Sequence, residues 1–410
     1  MQTKNVLFIS HDGMTDPLGQ SQVIPYLRGI SRHGYRFFIL SCEKKGNYQK
    51  NCEAVEKSLE GSAITWVPVW YHNKPPIVST FYDMAVLRIK AKALHRKYGI
   101  DMVHTRSGVP PLLGMWLKKK YGIKFLHDIR EFYADGRVDG GFWNQKNPLF
   151  RAIYKFFKKK EAEELAICDG AVCLTHAAEK IIRQLPYFNL AKPLQVIPCS
   201  VDMQLFNPAG ISREELLNVK REKGIAPGDM VISYLGSIGG WYLTDEMIRF
   251  CKKLSDKIPA AKFLFISPHR HEFILEMATK YNLEPAKIIT THAKRAEVPS
   301  LLALSTYSIF FIIPCFSKLS SSPTKHAEIM AMGIPVITNS GVGDLDEIIS
   351  HSSSGILLKD FTETSFDDAV EQIKQGMSFN PECIRQGAAE YYALPLAVNK
   401  YVELYDALLR

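Results

Sequence analysis

At 410 residues the chain exceeds what one hydrophobic core organises and fits two domains. Its 46% hydrophobic and 23% charged residues exclude a disordered chain, and it contains neither an internal repeat nor a low-complexity tract. The formal charge of +9 points to an anionic partner, whether phosphorylated substrate, nucleic acid or membrane surface, or to no more than a solvated basic surface.

Short apolar runs alternate with amphipathic segments from end to end. The first run, in MQTKNVLFISHDG, stops at His11-Asp12 and is too short for the apolar region of a signal peptide. Strands are predicted at Val6–Ser10, Phe37–Leu40, Ile64–Val67, Met102–His104, Phe125–His127, Ala171–Leu174 and Leu194–Ile197, with helical pattern between most of them. A polar segment, Asn207–Asp229, reads as a linker and its neighbour. Strands resume at Val231–Leu235, Phe263–Ser267, Ile288–Thr290, Ser308–Ile313, Val336–Thr338 and Ile356–Leu358. The tail is helical with an interruption at Pro395. Near-continuous apolar strands alternating with helices imply parallel sheets covered on both faces. The expected fold is therefore α/β, with two doubly wound, Rossmann-like domains over 1–205 and 206–394, and a last helix over about 395–410 packing back on the first.

The eight cysteines form no C-x-x-C and no zinc spacing with histidine. Several lie in apolar runs, such as Cys173 in AVCLT, which suits a reduced thiol in a core. No apolar run is long enough to span a bilayer. A cytoplasmic protein is expected, soluble or peripheral on the inner face of the plasma membrane.

The stretch SSSPTKHAEIMAMGIPVIT holds the strongest chemical signal. Ser322 reads as an N-cap and Pro323 as the first helical residue, with Thr324 and Lys325 next. Gly333 and Pro335 end the helix. A lysine in the first turn opposes the helix dipole at a cost of about 0.3–1 kcal/mol. An anion at the helix mouth reverses that sign, so the N–H groups, hydroxyls and ammonium together suit a phosphate. Glu328 shares the face of Thr324 and Lys325 and could accept hydrogen bonds from sugar hydroxyls. The competing reading is a surface ion pair between Lys325 and Glu328.

With its continuation, SPTKHAEIMAMGIPVITNSGVGDLDEII resembles the nucleotide-sugar-binding region of glycosyltransferase family 4, of the GT-B fold, in which two Rossmann-like domains face across a cleft. Glu328 matches the second of the family's paired glutamates, with Ala331, Gly333, Pro335 and Val336 in register; the first falls on Ser320. VLFISHDG…DPLGQSQVIPYLRGISRHGY resembles the family's opening strand, loop and helix, VIPCSVDMQLFNP its interdomain sequence, and VISYLGSIGGWYLTDEMIRF the start of its second domain. Nearly the whole chain is covered. Where the family has Gly-Arg and a lysine to grip the diphosphate, this chain has Gly236-Ser237 and Gly240-Trp241-Tyr242, which shifts the charge to Lys325 and Lys318.

The resemblance implies transfer of a sugar from a nucleotide diphosphate sugar, with retention and without metal or other cofactor, to a saccharide or lipid-linked acceptor in polysaccharide or glycolipid biosynthesis. No D-x-D follows an apolar strand in a place that suggests magnesium. It implies Lys325, Glu328 and His127 as catalytic residues, with Glu328 on the ribose. Donor contacts are expected from Gly19, Gly236, Ser237, Lys318, Ser320, Ser322 and Thr324 in all, Gly19 lying in a Gly19-Gln20-Ser21 loop. Arg106, Asp128 and Arg130, on the rim of the first domain, are expected to meet the acceptor. A histidine at the end of a strand, such as His127, can equally be structural. FYDMAVLRIKAKALHRK and FWNQKNPLFRAIYKFFKKKEAEE mix basic and bulky apolar residues, as helices lying on anionic lipid do and as ordinary half-packed helices also do. A nucleotide-sugar epimerase of the same fold and a non-catalytic nucleotide-sugar binder are the alternatives. A nucleic-acid partner finds no aromatic-basic recognition motif.

Overall fold

The computed structural model describes residues 3–75 and 77–409. In chain order the first half carries β1 (Lys4–Ser10), α1 (Pro17–Gln22), α2 (Ile24–Ser31), β2 (Tyr35–Glu43), α3 (Lys45–Leu59), β3 (Ile64–Trp70), α4 (Val78–Tyr98), β4 (Met102–Arg106), α5 (Pro110–Tyr121), β5 (Lys124–Ile129), α6 (Tyr133–Asp139), α7 (Pro148–Ile167), β6 (Gly170–Cys173), α8 (His176–Gln184) and β7 (Leu194–Val196). The second half carries α9 (Arg213–Glu222), β8 (Met230–Leu235), α10 (Thr244–Lys257), β9 (Ala261–Ile266), α11 (His271–Lys280), β10 (Ile288–Thr291), α12 (Val298–Leu302), β11 (Tyr307–Ile309), α13 (Thr324–Ala331), β12 (Val336–Asn339), α14 (Leu345–Ser352), β13 (Gly355–Leu358), α15 (Glu363–Lys374), α16 (Pro381–Tyr392) and α17 (Leu394–Leu409).

Two compact units result: Met1–Pro198 with Leu394–Arg410, and Cys199–Ala393. The division falls at 198/199 rather than 205/206, because the intervening residues bond inside the second unit. Val201 bridges to Ala393, its N–H donates to the Tyr392 carbonyl at 2.8 Å, and Cys199 N–H donates to Ser322 Oγ at 3.1 Å. The segment 207–229 is also no bare linker, since it contains α9.

The first unit is a seven-stranded parallel sheet in the order β3-β2-β1-β4-β5-β6-β7. Both faces are buried, which is why its strands read as near-continuous apolar runs. Alternation sorts the side chains. Leu7, Ile9, Phe38, Leu40, Val103 and Phe125 face one core, under α4, α5, α7 and α8. Val6, Phe8, Phe37, Ile39, Met102 and Leu126 face the other, under α2, α3 and α17. The last helix seats Tyr401, Leu404, Tyr405 and Leu408 in that second core. It approaches α2 closely: a Cβ on Gly29 would come 2.4 Å from Val398 Cγ2, so only glycine fits.

The second unit is a six-stranded parallel sheet in the order β10-β9-β8-β11-β12-β13. β11 ends at Ile309, short of the predicted Ile313. Beyond it the Asn339 side chain takes over, accepting from Ile312 N–H at 2.8 Å and donating to the Ile312 carbonyl at 3.0 Å. Each sheet reverses its strand order once, between β1 and β4 and between β8 and β11. Ligands of open α/β sheets bind at the carboxyl ends of the strands beside such a reversal.

Candidate functional site

At the reversal in the second sheet, the loop after β8 meets the segment leading into α13. Gly236 opens the loop with a φ of 120°, and a Cβ there would stand 2.9 Å from Lys325 Nζ. The positive φ calls for glycine. The loop returns as Trp241–Leu243 and is tied to the end of β11: Leu243 N–H donates to the Phe311 carbonyl and Ile313 N–H to the Trp241 carbonyl, each at 3.0 Å. Arg270, at the start of α11, holds the loop from below through a 3.2 Å bond to the Ile238 carbonyl.

α13 starts one residue later than the cap pattern predicts. Pro323 is the N-cap and Thr324 the first helical residue. Ser322 does not cap; its hydroxyl accepts from Cys199 N–H instead. Lys325 is then in the first turn and is buried rather than presented to solvent. Its Nζ lies 3.6 Å from the centroid of the Tyr242 ring and 4.2 Å from that of Tyr234, and it donates to Tyr234 Oη at 3.1 Å. The Tyr234 hydroxyl in turn donates to the Ser237 carbonyl. Burial pushes the Lys325 amine well below the ordinary lysine range, with Glu328 pulling the other way. The expected alternative, a Lys325–Glu328 surface pair, is not what forms.

Glu328 is buried and pairs with Arg295, whose Nη1 stands 2.7 Å from Oε1. Burial raises the carboxyl's pKa; Arg295 opposes this most, then Lys325. Lys318 is buried with its ammonium 3.6 Å from the centroid of the Trp241 ring. Ser320 is fully buried, and its hydroxyl donates to the Ser317 carbonyl at 2.8 Å. Ser237 is exposed and Thr324 half-buried at the mouth of this arrangement. Gly236, Ser237, Lys318, Ser320 and Ser322 thus lie in neighbouring loops, and Thr324, Lys325 and Glu328 on the adjoining α13, all in one unit.

The residues expected in the first unit are placed differently. Gly19 is inside α1, not in a loop, and a Cβ on it would come 2.3 Å from the Gly13 carbonyl oxygen. Its role there is close packing. β5 runs to Ile129, two residues beyond its predicted end, and draws His127 and Asp128 under the flanking helices. His127 is buried with Nε2 3.9 Å from Glu164 Oε2. Burial lowers its pKa to about 4 and raises that of Glu164 well above its ordinary value. Asp128, on the opposite face of the strand, accepts from Tyr401 Oη at 3.0 Å and lies 3.5 Å from His104 Nε2 and 3.6 Å from Arg130 Nη1. Burial works to raise its pKa, but Arg130 and His104 hold it well below the usual range. His104 also pairs through Nδ1 with Tyr405 Oη at 2.7 Å. This network fastens α17. Arg106 is buried too, donating to the Gln22 carbonyl at 3.1 Å beside Asp12. Of the rim positions expected to meet an acceptor, Arg106 and Asp128 are therefore interior positions and Arg130 is half-buried.

Sequence reasoning missed Arg295, Arg270 and the two tyrosines around Lys325. A signal existed for Tyr242 and Trp241: adjacent aromatics follow Gly239-Gly240 where basic residues were expected.

Residues 217–389 match the family model for glycosyl transferases group 1, and residues 22–205 the model for glycosyltransferase family 4. The chain is 22% identical over 273 residues to an alpha-monoglucosyldiacylglycerol synthase of Streptococcus pneumoniae, covering 65% of this chain and 58% of the relative. It is 18% identical over 308 residues to a D-inositol 3-phosphate glycosyltransferase of Nocardia farcinica, covering 70% and 61%. It thus spans less than two thirds of either relative. In fold it is similar to the sucrose-phosphate synthase of Thermosynechococcus elongatus, with a TM-score of 0.75, 15% identity and 99% of each chain covered. It is likewise similar to Anabaena HepE, solved in complex with UDP and glucose, with a TM-score of 0.72, 13% identity and 98% and 99% covered.

Proposed function

The chain belongs to the family-4 glycosyltransferases of the GT-B fold, and from that premise we propose that it moves a sugar, with retention, from a nucleotide diphosphate sugar to a saccharide or lipid-linked acceptor in polysaccharide or glycolipid biosynthesis. The observation that carries the reading is Lys325: a buried amine beside the glycine loop of the second sheet, with no carboxylate paired to it among the described residues. A desolvated amine in that position is a poor structural choice and a good anion receptor.

In this reading the second unit holds the donor. The glycosidic bond breaks towards the diphosphate, which leaves with the electron pair. Lys325 and Lys318 stabilise the growing charge, and a preorganised donor of this kind is worth roughly 3 kcal/mol. Glu328, held by Arg295, accepts hydrogen bonds from the ribose. The acceptor hydroxyl bonds to the anomeric carbon on the same face and passes its proton to the departing diphosphate oxygen. No step uses a metal. HepE, of similar fold, was solved with UDP and glucose, which favours a uridine donor among the candidates.

Exposed apolar residues support a lipid-linked acceptor. Phe81, Tyr82 and Ile89 on α4 and Phe142, Leu149 and Phe156 around the start of α7 are all exposed, in a unit where Lys90, Lys155 and Lys159 are exposed as well. No helix among the described residues is long and apolar enough to cross a membrane, so the contact proposed is peripheral. The relative from Streptococcus pneumoniae is named as a glycolipid synthase.

The test is a thermal-shift screen of UDP-, GDP- and ADP-sugars, followed by transfer assays with the best donor and with soluble and lipid-linked acceptors. Stabilisation by one nucleotide sugar and transfer to an acceptor are expected. Release of a free epimerised sugar, or binding without any transfer, would replace this reading.

A further inference from the structure

The loop after β8 bears no basic side chain between Gly236 and Tyr242, yet a cation from another segment stands against two of its glycines. A Cβ on Gly236 would lie 2.9 Å from Lys325 Nζ, and one on Gly239 would lie 2.5 Å from Arg270 Nη1. We propose that Arg270 is a second cation of the donor site and grips the diphosphate together with Lys325. The inference rests on the donor reading above and extends it to a residue outside both the loop and α13.

β8 lies between β9 and β11 in the sheet, and the segment following each neighbour supplies one of the cations. The loop is tied to β9 at its start, where Gly236 N–H donates to the Ile266 carbonyl at 2.9 Å. Arg270 is fixed beside it. Its backbone is left-handed, at φ 65° and ψ 35°, a conformation that a residue with a side chain rarely adopts and that persists where its surroundings enforce it. Its Nη1 donates to the Ile238 carbonyl at 3.2 Å, and its Cζ lies 4.3 Å from the centroid of the Phe273 ring. Gly239 leaves room for the guanidinium, since a side chain at that position would push it away. None of these contacts cancels its charge. A ring face carries no net charge, and among the described residues no carboxylate is paired with Arg270. Stacking on a ring leaves the edge of the planar fork free, and that edge matches two phosphate oxygens at once. Arg270 is exposed, so the fork is open to a ligand as it stands. A diphosphate carries more negative charge than the Lys325 ammonium alone balances, and the loop itself offers no cation.

The test compares Arg270→Gln and Arg270→Asn with wild type by calorimetry, using UDP, GDP and ADP to choose the tightest diphosphate and its nucleoside as control. Each variant should weaken diphosphate binding about tenfold and leave nucleoside binding within about twofold. Added salt should weaken diphosphate binding by wild type more than by either variant, since the variants lack one of the charges it screens. Loss of nucleoside and diphosphate binding together would mean that Arg270 only supports the loop, and would overturn the proposal. Variants that bind the diphosphate like wild type would also overturn it while leaving the donor reading intact. A wild type that binds no nucleoside diphosphate would instead remove the donor reading, and this proposal with it. Asparagine suits a left-handed backbone, so should the glutamine variant fail to fold, the asparagine variant decides the outcome.

Discussion

Arg295 Nη1 stands 2.7 Å from Glu328 Oε1, and the carboxylate is buried while the guanidinium is about one-third exposed. A buried charge that loses its partner carries its desolvation penalty unopposed. Arg295→Met should therefore destabilise the protein by about 1–3 kcal/mol, the smaller end reflecting the arginine's contact with water. Urea denaturation measures it. A midpoint equal to wild type would show that Glu328 is satisfied without Arg295.

Lys325 makes stability depend on pH in an unusual direction. Its folded pKa lies well below the 10.5 of an ordinary lysine. Between those values the unfolded chain binds a proton that the folded chain does not, so stability rises with pH across that window. Lys325→Met removes the group and the effect. Tyr234, Tyr242 and Glu328, which surround the amine, stay in place in both proteins. The wild type should gain on the variant in denaturation midpoint as pH rises from neutrality towards 10. A constant gap would mean that the amine is charged throughout.

At acid pH the sign comes from His127. Its folded pKa is about 4, against 6.5 for a free imidazole. As pH falls from 6.5 towards 4, the unfolded state takes up a proton first and stability is lost, by up to ~3 kcal/mol for this residue. His127→Leu keeps the volume and removes the titration. It should lose less stability than wild type between pH 7 and pH 4.5. Parallel loss in both proteins would place the acid sensitivity elsewhere.

Vesicle co-sedimentation tests the exposed face of the first unit. Wild type should bind anionic vesicles at low salt, and added salt should release it, since exposed charges are screened over roughly 8–10 Å at physiological ionic strength. Phe81→Ser with Ile89→Ser should reduce binding several-fold. The three lysines 158–160 are not equivalent in this. Lys158 is paired with Asp135 and Glu161, both at 2.8 Å, and Lys160 with Glu163 at 2.7 Å. Lys159→Gln should matter more than Lys158→Gln. A wild type that ignores anionic vesicles would favour a soluble acceptor.

Chelation is the fifth test. Among the described residues no three of His, Cys, Asp and Glu gather where they could hold a metal ion. Transfer should persist in EDTA with its rate unchanged within about twofold, because the leaving-group charge falls to the lysines. An absolute need for magnesium or manganese would assign that charge to a metal.

Much of this fold is legible because it has few solutions. Each apolar run predicted as a strand is a strand in the structure, since short buried runs between amphipathic segments can do little else than form covered parallel sheets. Ends are less legible. β5 continues two residues past the apolar run because Asp128 is neutralised by His104, Arg130 and Tyr401, partners distant in sequence or on another element. Ending the strand too early put His127 at its end and Asp128 on a rim. Lys325 and Glu328 were visible as a pair on one helical face, but not their partners. Arg295 lies thirty-three residues upstream of Glu328, and Tyr234 ninety-one upstream of Lys325, so only the folded sheet brings them together.

The return of α17 to the first sheet sets an order of biogenesis. Val6, Phe8, Phe37 and Ile39 wait for Tyr401, Leu404 and Tyr405 to cover them, and the whole second unit is synthesised in between. At about 5–20 residues per second that interval lasts roughly 10–40 s on the ribosome. During it the part of that sheet face that α2 and α3 leave to α17 stays uncovered, while the second unit can emerge and close by itself. Emergence of α17 thus completes the first unit, and the nascent chain should depend on chaperone protection until that helix is available.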